Sequence, residues 1–341
     1  MGARVIHRRS TVSGLRRSDI ARDLGGVADL LEQAFAGDLE EADLRWLQEM
    51  KAFRFLAPFL WFASRTSPWS PGLFAGFVWV EDGRLVGNVN VTRADMGWRH
   101  WQISNVAVHP AYRRRGIARE LVEAAIELVR QQGGEVVTLQ VRRANRAAQT
   151  LYRSLGFDLL AGTTSLTLER MGPVALVPPT GVPMRPWRAG ERQKACSLAR
   201  AIAPPRAQRL IPQWEERFRL SCEKRLAEWI NRLIRRQKIH RWAVEEGGQF
   251  VATLIVQAMG PVAIGPHRLE IMVHPDHHGL LEEALVTRAL STLVHYPHRV
   301  IEAQVSADHQ EAIHLLQRRG FVEVKTLDWL SLELTRQERR I

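Results

Sequence analysis

The feature of this sequence best suited to chemistry is an arginine-rich turn between an apolar segment and an amphipathic one. Residues 103–108 are mostly apolar or β-branched and Pro110 follows them, which predicts a buried strand that ends there. Arginines occupy positions 113–115, Gly116 comes next, and residues 119–130 carry apolar side chains at helical spacing. The start of a helix attracts anions through its unpaired N–H groups and its dipole. The segment therefore predicts a phosphate-binding site.

Two small residues in this turn favour close approach of a ligand to the backbone. Gly116 has no side chain and Ala118 has only a methyl group, so a phosphate can reach the main-chain N–H groups without obstruction. A solvated basic turn is the plain alternative, but the strand–turn–helix context favours phosphate binding.

The turn resembles the acetyl-coenzyme A site of the GNAT N-acetyltransferase superfamily, whose pattern is Arg/Gln-x-x-Gly-x-Gly/Ala. Arg113, Gly116 and Ala118 match that pattern. Downstream, residues 145–157 are similar to a second pattern of the superfamily, Asn-x-x-Ala-x-x-Leu-Tyr-x-x-x-Gly-Phe. The two motifs occur in the expected order and at the expected separation, so the resemblance covers the first half of the chain.

The resemblance implies that this half binds acetyl-coenzyme A and transfers the acetyl group directly from the thioester to an amine. The cofactor-binding residues would be Val106, Ala107, Val108, Arg113, Arg114, Arg115, Gly116, Ile117, Ala118, Asn145 and Tyr152. Backbone groups of Val106 and Val108 would pair with the pantetheine amides, and a backbone N–H of either could polarise the thioester carbonyl. The N–H groups of residues 114–118, with the Arg113 side chain, would hold the pyrophosphate.

The same resemblance makes Tyr152 the candidate catalytic residue, a general acid that protonates the departing thiolate. Its position beside leucines at helical spacing is also compatible with simple packing. Asn145 is expected either near the cofactor or as a helix cap. The general base stays open, because no acidic residue lies between Trp98 and Tyr112. The candidates are a water chain, Asp95, His100 and His109.

The acceptor is expected to be an amine of a small molecule or a peptide. In the superfamily the acceptor lies between the early helices and a hairpin, and here those parts are aromatic: Phe53, Phe55, Phe59, Trp61, Phe62, Trp69 and Trp79. These side chains either pack in the core or shape a hydrophobic acceptor pocket. The loop at 64–72 could close such a pocket.

The second half of the chain repeats the first. Residues 269–275 mirror 103–110, and residues 309–321 mirror 145–157 at an offset of 164 positions. The repeat departs from the motif where chemistry would occur, because the arginines of the turn are absent and Asp276, Glu282 and Glu283 bring negative charge instead. Leu316 replaces Tyr152. We therefore interpret the second half as a degenerate GNAT-like domain without a cofactor site.

These patterns predict an α/β protein with two tandem GNAT-like domains, each a twisted mixed β-sheet flanked by helices. The first domain is expected over residues 1–171, and the proline- and glycine-rich segment 172–183 is expected to be a linker. The degenerate domain would follow over 184–341. A hairpin is predicted around residues 81–84, and a helix is predicted over residues 40–62.

Composition excludes several classes of protein. The net charge of +12 at pH 7 is almost wholly due to arginine and is spread over both halves, which argues against a nucleic-acid-binding patch. The N terminus lacks an apolar signal segment and no window is long enough for a membrane span, so a cytoplasmic protein is expected. Two cysteines without ligand spacing predict no metal. A homo-oligomer is compatible with the composition.

Two alternative functions stay open. One is a non-catalytic acyl-coenzyme A sensor or scaffold, and the other is an RNA-modifying acetyltransferase.

Overall fold

The computed structural model describes residues 13–36, 75–94, 99–172, 181–188, 190–210, 237–261, 263 and 265–334. The chain forms two compact units. Unit 1 takes its described residues from 1–140, 150–158 and 331–341, and unit 2 takes its described residues from 141–149 and 159–330.

Unit 1 is built on a five-stranded sheet in the order β1-β2-β3-β4-β5. Its strands are β1 (Gly14–Arg17), β2 (Ala75–Glu81), β3 (Arg84–Arg93), β4 (His100–Val108) and β5 (Val136–Arg142, with its last two residues in unit 2), and its helices are α1 (Ile20–Ala34) and α2 (Ile117–Gln131). Helix α3 (Arg146–Ser154) divides between the units after Gln149. Neighbouring strands run antiparallel, except that β4 and β5 are parallel.

Local sequence explains these elements. Asp82 and Gly83 have φ values of 46° and 76° between β2 and β3, which is the turn that an Asp-Gly pair favours in a hairpin. Helix α1 buries Val27, Leu30 and Leu31 against the sheet because these residues recur at helical spacing. Helix α2 covers the sheet over Gly87, where a Cβ atom would lie 2.9 Å from the Leu121 side chain. The missing side chain therefore lets this helix lie close to β3.

Unit 2 contains a seven-stranded sheet in the order β12-β6-β11-β10-β9-β8-β7. Its strands are β6 (Asp158–Leu168), β7 (Met184–Pro186), β8 (Lys238–Glu246), β9 (Gln249–Ala258), β10 (His267–Val273), β11 (Ile301–Ser306) and β12 (Val322–Glu333), of which Asp158 and residues 331–333 belong to unit 1. Its helices are α4 (Arg192–Ile202), α5 (Pro205–Leu210), α6 (Glu282–Leu293) and α7 (Gln310–Arg318).

The two units repeat one pattern of strand pairing. Strands β7 to β10 pair antiparallel in succession and β10 pairs parallel with β11, as β1 to β4 pair antiparallel and β4 pairs parallel with β5. In each unit one helix lies between the two parallel strands in the order of the chain: α2 between β4 and β5, and α6 between β10 and β11. The predicted α/β class, the mixed sheets and the internal repeat are confirmed.

The compact units are not continuous stretches of the chain, and the domain boundary predicted at residue 171 stays a prediction. Strand β6, expected to close the first domain, pairs antiparallel with β11 from Leu168 opposite Ile301 to Thr163 opposite Ser306. Strand pairing joins backbones at any distance along the chain, so the position of β6 in the sequence does not decide which sheet it joins. Of the predicted linker, residues 173–180 lie outside the described residues.

Several predictions concern parts that the structure does not describe: the helix at 40–62, the loop at 64–72, Asp95, and the aromatic residues other than Trp79. Among the described helices, none combines the length and the apolar character that crossing a bilayer requires.

Candidate active site

Strand β4 carries a bulge beside β3. Asn88 of β3 lies opposite Ala107 and Asn90 lies opposite Ser104, so β4 has one extra residue between these pairs. Asn105 adopts a left-handed φ of 52° there. The fully buried side chain of Asn88 donates from Nδ2 to the carbonyl oxygen of Asn105 at 2.9 Å. Because a bulge bends its strand and redirects the backbone groups, this hydrogen bond sets the course of β4 beyond Ser104. The side chain of Ala107 packs in the core with α1.

The backbone of Val106 and Val108 faces the edge of β4 that points away from β3. The N–H of His109 donates to the carbonyl of Val86 in β3 at 2.8 Å, and the N–H and C=O groups of successive strand residues point to opposite edges. Since the backbone groups of His109 point towards β3, the N–H and C=O groups of Val108 point the opposite way, towards β5. The groups of Val106, two residues earlier, point in the same direction as those of Val108. Within the described strands the β4–β5 pairing runs only from His100 to Ile103. Beyond Ile103 this edge of β4 pairs with no described strand, although the Val108 carbonyl accepts Nε of Arg113 at 3.3 Å. The backbone groups of Val106 and the N–H of Val108 can pair with an extended chain that carries amides.

The turn that follows β4 presents five consecutive backbone N–H groups, those of residues 114–118. A 3₁₀ turn over Pro110–Tyr112 leads into it, Arg114 and Gly116 adopt φ values of 63° and 83°, and α2 begins at Ile117. Among the described residues none of the five N–H groups has an acceptor. Among the described residues, a Cβ atom on Gly116 would meet no atom within 4 Å apart from its chain neighbours, so these residues leave space beside the backbone of Gly116. Free N–H groups at the positive end of a helix form an anion site.

The arginine side chains support the turn rather than lining its open side. Arg113 donates from Nη2 to the carbonyl of Ala34, the last residue of α1, at 2.9 Å, and from Nε to the carbonyl of Val108 at 3.3 Å. A cation at a helix C terminus is favourable, so Arg113 ties the turn to α1. Arg115 donates to the carbonyl of Ala111 and its guanidinium lies 4.8 Å from the centre of a tyrosine ring. The Arg113 side chain thus contacts the backbone of α1 and β4, and its predicted contact with a pyrophosphate stays a prediction.

Tyr152 lies on the part of α3 that belongs to unit 1. Its ring packs edge-on against Phe157 with the ring centres 6.0 Å apart, and the residue is buried. Burial raises the pKa of Tyr152 to about 12, because the charged phenolate loses its solvation. Within the part of the chain that the structure describes, no protein group hydrogen-bonds to its hydroxyl. The hydroxyl therefore stays protonated and able to donate.

Asn145 caps α3. Its Oδ1 accepts a hydrogen bond from the N–H of Ala148 at 3.1 Å, and its carbonyl accepts from the N–H of Gln149 at 3.0 Å. This geometry is that of a helix N-cap. Asn145 belongs to unit 2. The role as a cap, one of the two alternatives for this residue, is therefore present, and the role near the cofactor stays a prediction.

The two described candidates for the general base have structural contacts. The ring of His100 is buried, with Nε2 at 2.9 Å from Oγ1 of Thr138. His109 accepts the N–H of Ala111 on Nδ1 at 3.2 Å and so caps the 3₁₀ turn. A ring nitrogen that accepts a hydrogen bond from a backbone N–H uses its lone pair in that bond, so this nitrogen cannot accept a proton without losing the bond. Neither contact singles out one histidine as the base.

The corresponding turn of unit 2 is filled by its own glutamate. Glu282 is buried at the start of α6, where its Oε1 accepts the N–H of Gly279 at 2.9 Å and its Oε2 accepts the N–H of Leu281 at 3.1 Å. Nε2 of His309 lies 2.7 Å from Oε1. Burial disfavours the charged carboxylate, but the hydrogen bonds from His309 and the backbone outweigh it and hold the pKa of Glu282 below its ordinary value. The carboxylate of Glu282 thus accepts N–H groups at the start of α6. The N–H groups at the corresponding place in unit 1 have no acceptor among the described residues.

Sequence reasoning missed two of these residues. Asn88 carried no motif, and its alternation with Asn90 and Thr92 along β3 did not distinguish it as the buried member. Glu282 was expected to bring negative charge that repels a diphosphate, and the structure adds that its side chain is buried in the turn, where it accepts backbone N–H groups. A glutamate three residues after a turn glycine resembles the reach of a capping box, which could have indicated this contact.

Known proteins resemble this chain in sequence. The model of the acetyltransferase (GNAT) family matches residues 38–157 and again residues 207–321. An N-alpha-acetyltransferase RimI from Mycobacterium tuberculosis is 32% identical over 137 residues, which are 37% of this chain and 80% of that protein. A [ribosomal protein bS18]-alanine N-acetyltransferase from Escherichia coli is 44% identical over 54 residues, 16% of this chain and 36% of that protein.

Solved structures share the fold along the whole chain. A GCN5-related N-acetyltransferase from Sphaerobacter thermophilus aligns with a TM-score of 0.57 at 15% identity, covering 94% of this chain and 95% of its own. A tandem GNAT protein from the clavulanic acid biosynthesis pathway aligns with a TM-score of 0.55 at 20% identity, covering 94% and 98%. At these identities the likeness supports the fold and no particular substrate.

Proposed function

Because the chain belongs to the acetyltransferase (GNAT) family, we propose that unit 1 binds acetyl-coenzyme A along β4 and the turn before α2, and that it acetylates the α-amine of a peptide or protein. The chain is an N-acetyltransferase by family. We propose the position of the site, the identity of the acyl donor and the identity of the acceptor.

The free N–H groups of residues 114–118 are the observation that carries this proposal. A diphosphate has several acceptor oxygens, and these N–H groups can satisfy them without any rearrangement of the turn. The open space at Gly116 leaves room for the phosphates. The open edge of β4 at Val106 and Val108 suits the two amides of a pantetheine chain. Phosphate and pantetheine sites thus follow one another along the chain.

The residues at this edge can assist acetyl transfer. Bound acetyl-coenzyme A supplies an activated thioester. A backbone N–H at Val106 or Val108 can donate to a carbonyl oxygen that gains negative charge, and the bulge at Asn105 aims this part of the backbone. The Tyr152 hydroxyl, protonated because of its burial, is the proposed proton donor to the departing sulfur.

We propose that unit 2 does not bind the cofactor. The carboxylate of Glu282 already accepts the N–H groups of Gly279 and Leu281, and its charge would repel a diphosphate at hydrogen-bonding distance. Leu316 replaces the tyrosine of the first copy. The second copy then has a structural role or helps to shape the acceptor site.

The choice of acceptor rests on the relatives. One is named an N-alpha-acetyltransferase and the other a [ribosomal protein bS18]-alanine N-acetyltransferase. This favours the α-amine of a peptide over a small-molecule amine, which is the alternative from the same chemistry.

Calorimetric titration of the full-length protein with acetyl-coenzyme A tests the site. We expect one molecule bound per chain and loss of binding in Gly116→Glu, since the new carboxylate would compete for the turn. Gly133→Glu is the matched control: Gly133 lies just beyond the other end of α2, has a similar φ of 74°, and has equally open surroundings. Two sites per chain would contradict the proposal for unit 2. Absence of binding, or equal binding by both variants, would overturn the proposal for unit 1.

Acceptor identity is tested by mass spectrometry of reactions with peptides that differ in their first residue. Acetylation of the α-amine supports the proposal. Acetylation of small amines alone, with every peptide unmodified, would contradict it.

A further inference from the structure

Two histidines and a glutamate of unit 2 meet beside the turn that Glu282 fills. His278 follows β10, and His309 and Glu311 flank the first residue of α7. Each offers one ligand atom, and the three atoms lie within 4.8 Å of one another. Nδ1 of His278 is 3.5 Å from Oε2 of Glu311, and the two imidazole rings are stacked with their centres 3.8 Å apart. We propose that His278, His309 and Glu311 bind a divalent transition-metal ion, with Zn²⁺ as the best fit.

The proton positions on the two imidazoles favour a metal. Nε2 of His309 lies 2.7 Å from a carboxylate oxygen of Glu282, and Nε2 of His278 lies 3.3 Å from the carbonyl oxygen of Val273. Both partners are acceptors, so in each neutral ring Nε2 carries the proton. Nδ1 then holds the lone pair. A carboxylate or backbone carbonyl behind the outer ring nitrogen is the arrangement found around histidines that ligate metals.

The inner atoms of the cluster are therefore all electron-pair donors. Two Nδ1 lone pairs and a carboxylate repel one another at short range unless a cation or a shared proton lies between them. Two imidazoles and one carboxylate form a ligand set that Zn²⁺ accepts, with water at the fourth position. An ion bound between the two stacked imidazoles would hold their ring nitrogens together.

The cluster combines a fixed ligand with adjustable ones. His309 is buried, with 4% of its side chain exposed, and Glu282 holds it in place while being held itself by two backbone N–H groups. The side chains of His278 and Glu311 are 22% and 49% exposed. These two can rotate by the small amount that brings their ligand atoms to the roughly 2.0–2.2 Å of a zinc bond.

This site is a property of the second copy alone. At the offset of 164 positions, His309 corresponds to Asn145 and Glu311 corresponds to Ala147, neither of which is a usual zinc ligand. The sequence predicted no metal, because the ligands are 31 and 2 residues apart and do not form a recognisable spacing motif. The ion would link the turn after β10 to the start of α7 and stabilise unit 2.

Titration of untagged, chelator-treated full-length protein with Zn²⁺ tests this proposal. We expect one site per chain and a higher melting temperature, because an ion that binds only the folded state stabilises it. The variants are Glu311→Gln, an exposed and isosteric change, and His278→Ala. His314→Ala, which removes an exposed histidine of the same helix α7, is the matched control. Binding lost in the first two variants and kept in the control supports the site.

Two further readouts separate this site from adventitious binding by other histidines. Co²⁺ in place of Zn²⁺ should give visible absorption bands that are absent in Glu311→Gln. Glu282→Gln should weaken binding by about 10–100-fold, because it weakens the acceptor behind His309 and leaves the three proposed ligands in place. No Zn²⁺ binding, or binding that Glu311→Gln and His278→Ala leave unchanged, would overturn the proposal. This result is independent of acetyl-coenzyme A binding by unit 1.

Discussion

The side-chain amide of Asn88 donates to the carbonyl oxygen of Asn105 at 2.9 Å, and Asn105 is the residue at which β4 bulges with a φ of 52°. The same Nδ2 also lies 3.2 Å from Oδ1 of Asn90. A buried polar side chain on β3 thus stabilises the irregular backbone beside Val106 and Val108. We regard Asn88 as a positioning residue, since it acts on the site through the backbone of β4.

Removal of this amide should disturb the bulge. In Asn88→Ala the carbonyl of Asn105 loses its donor, which we expect to cost about 1–3 kcal/mol in the free energy of unfolding. Displacement of the backbone N–H groups of Val106 and Val108 should also lower kcat by about tenfold, equivalent to about 1.4 kcal/mol. The affinity for acetyl-coenzyme A should change less. Denaturant unfolding and steady-state kinetics measure these effects. Asn90→Ala is the control, because it removes the other partner of the same amide and leaves Asn105 bonded. Equal kcat values for the two variants would refute the positioning role.

Tyr152 should give a distinctive pH profile. Its pKa is raised to about 12 by burial, so the hydroxyl stays protonated through pH 10, where an exposed tyrosine would be half ionised. If Tyr152 is the general acid, kcat should show no decrease near pH 10 that depends on this residue. Tyr152→Phe should lower kcat by about 10²–10⁴-fold while it keeps acetyl-coenzyme A binding, since the packing on Phe157 remains. Full activity of Tyr152→Phe would assign the residue to packing alone.

Acid stability of unit 2 should depend on Glu191. The guanidinium of Arg185 donates two hydrogen bonds to this carboxylate, at 2.6 and 2.8 Å, and the N–H of Arg188 donates a third. These bonds lower the pKa of Glu191 to about 2. A depressed pKa contributes stability that is present above the unfolded value, about 4.3, and is lost as the pH falls towards 2.

Glu191→Gln should therefore be less stable than the natural protein at pH 7, and the difference should shrink between about pH 4 and pH 2. Urea unfolding followed by circular dichroism over this range measures it. Glu120→Gln, at an exposed position of α2, controls for the loss of one surface charge. A difference that persists unchanged at pH 2 would contradict the assignment of this stability to the ionised carboxylate.

Much of the first site was accessible from sequence because it is contiguous in the chain. The strand before Pro110, the glycine at 116 and the helix after it follow one another directly, so local rules place the free N–H groups of residues 114–118 at a helix start. The hairpin at residues 81–84 was predicted for the same reason: an Asp-Gly pair between two strand-like segments has few other conformations.

Side-chain directions were less accessible. The guanidinium of Arg113 donates to the carbonyl of Ala34, 79 residues earlier in the chain, a contact that no local pattern indicates, and its role at the pyrophosphate stays a prediction. Which of several acceptors a long flexible side chain chooses depends on what tertiary packing brings within reach. The same holds for Glu282, whose carboxylate turns into the backbone rather than outwards.

By itself the sequence determined the family, the repeated order of elements and the glycine-bearing turn before α2 in the first copy, because each of these rests on residues close together in the chain. Only the tertiary structure decided that β6 pairs with β11, that Asn88 holds the bulge at Asn105, and that His278 meets His309 and Glu311. These relationships join residues that are distant in sequence. Strand pairing and the packing of one element on another bring them together, and no local propensity records either.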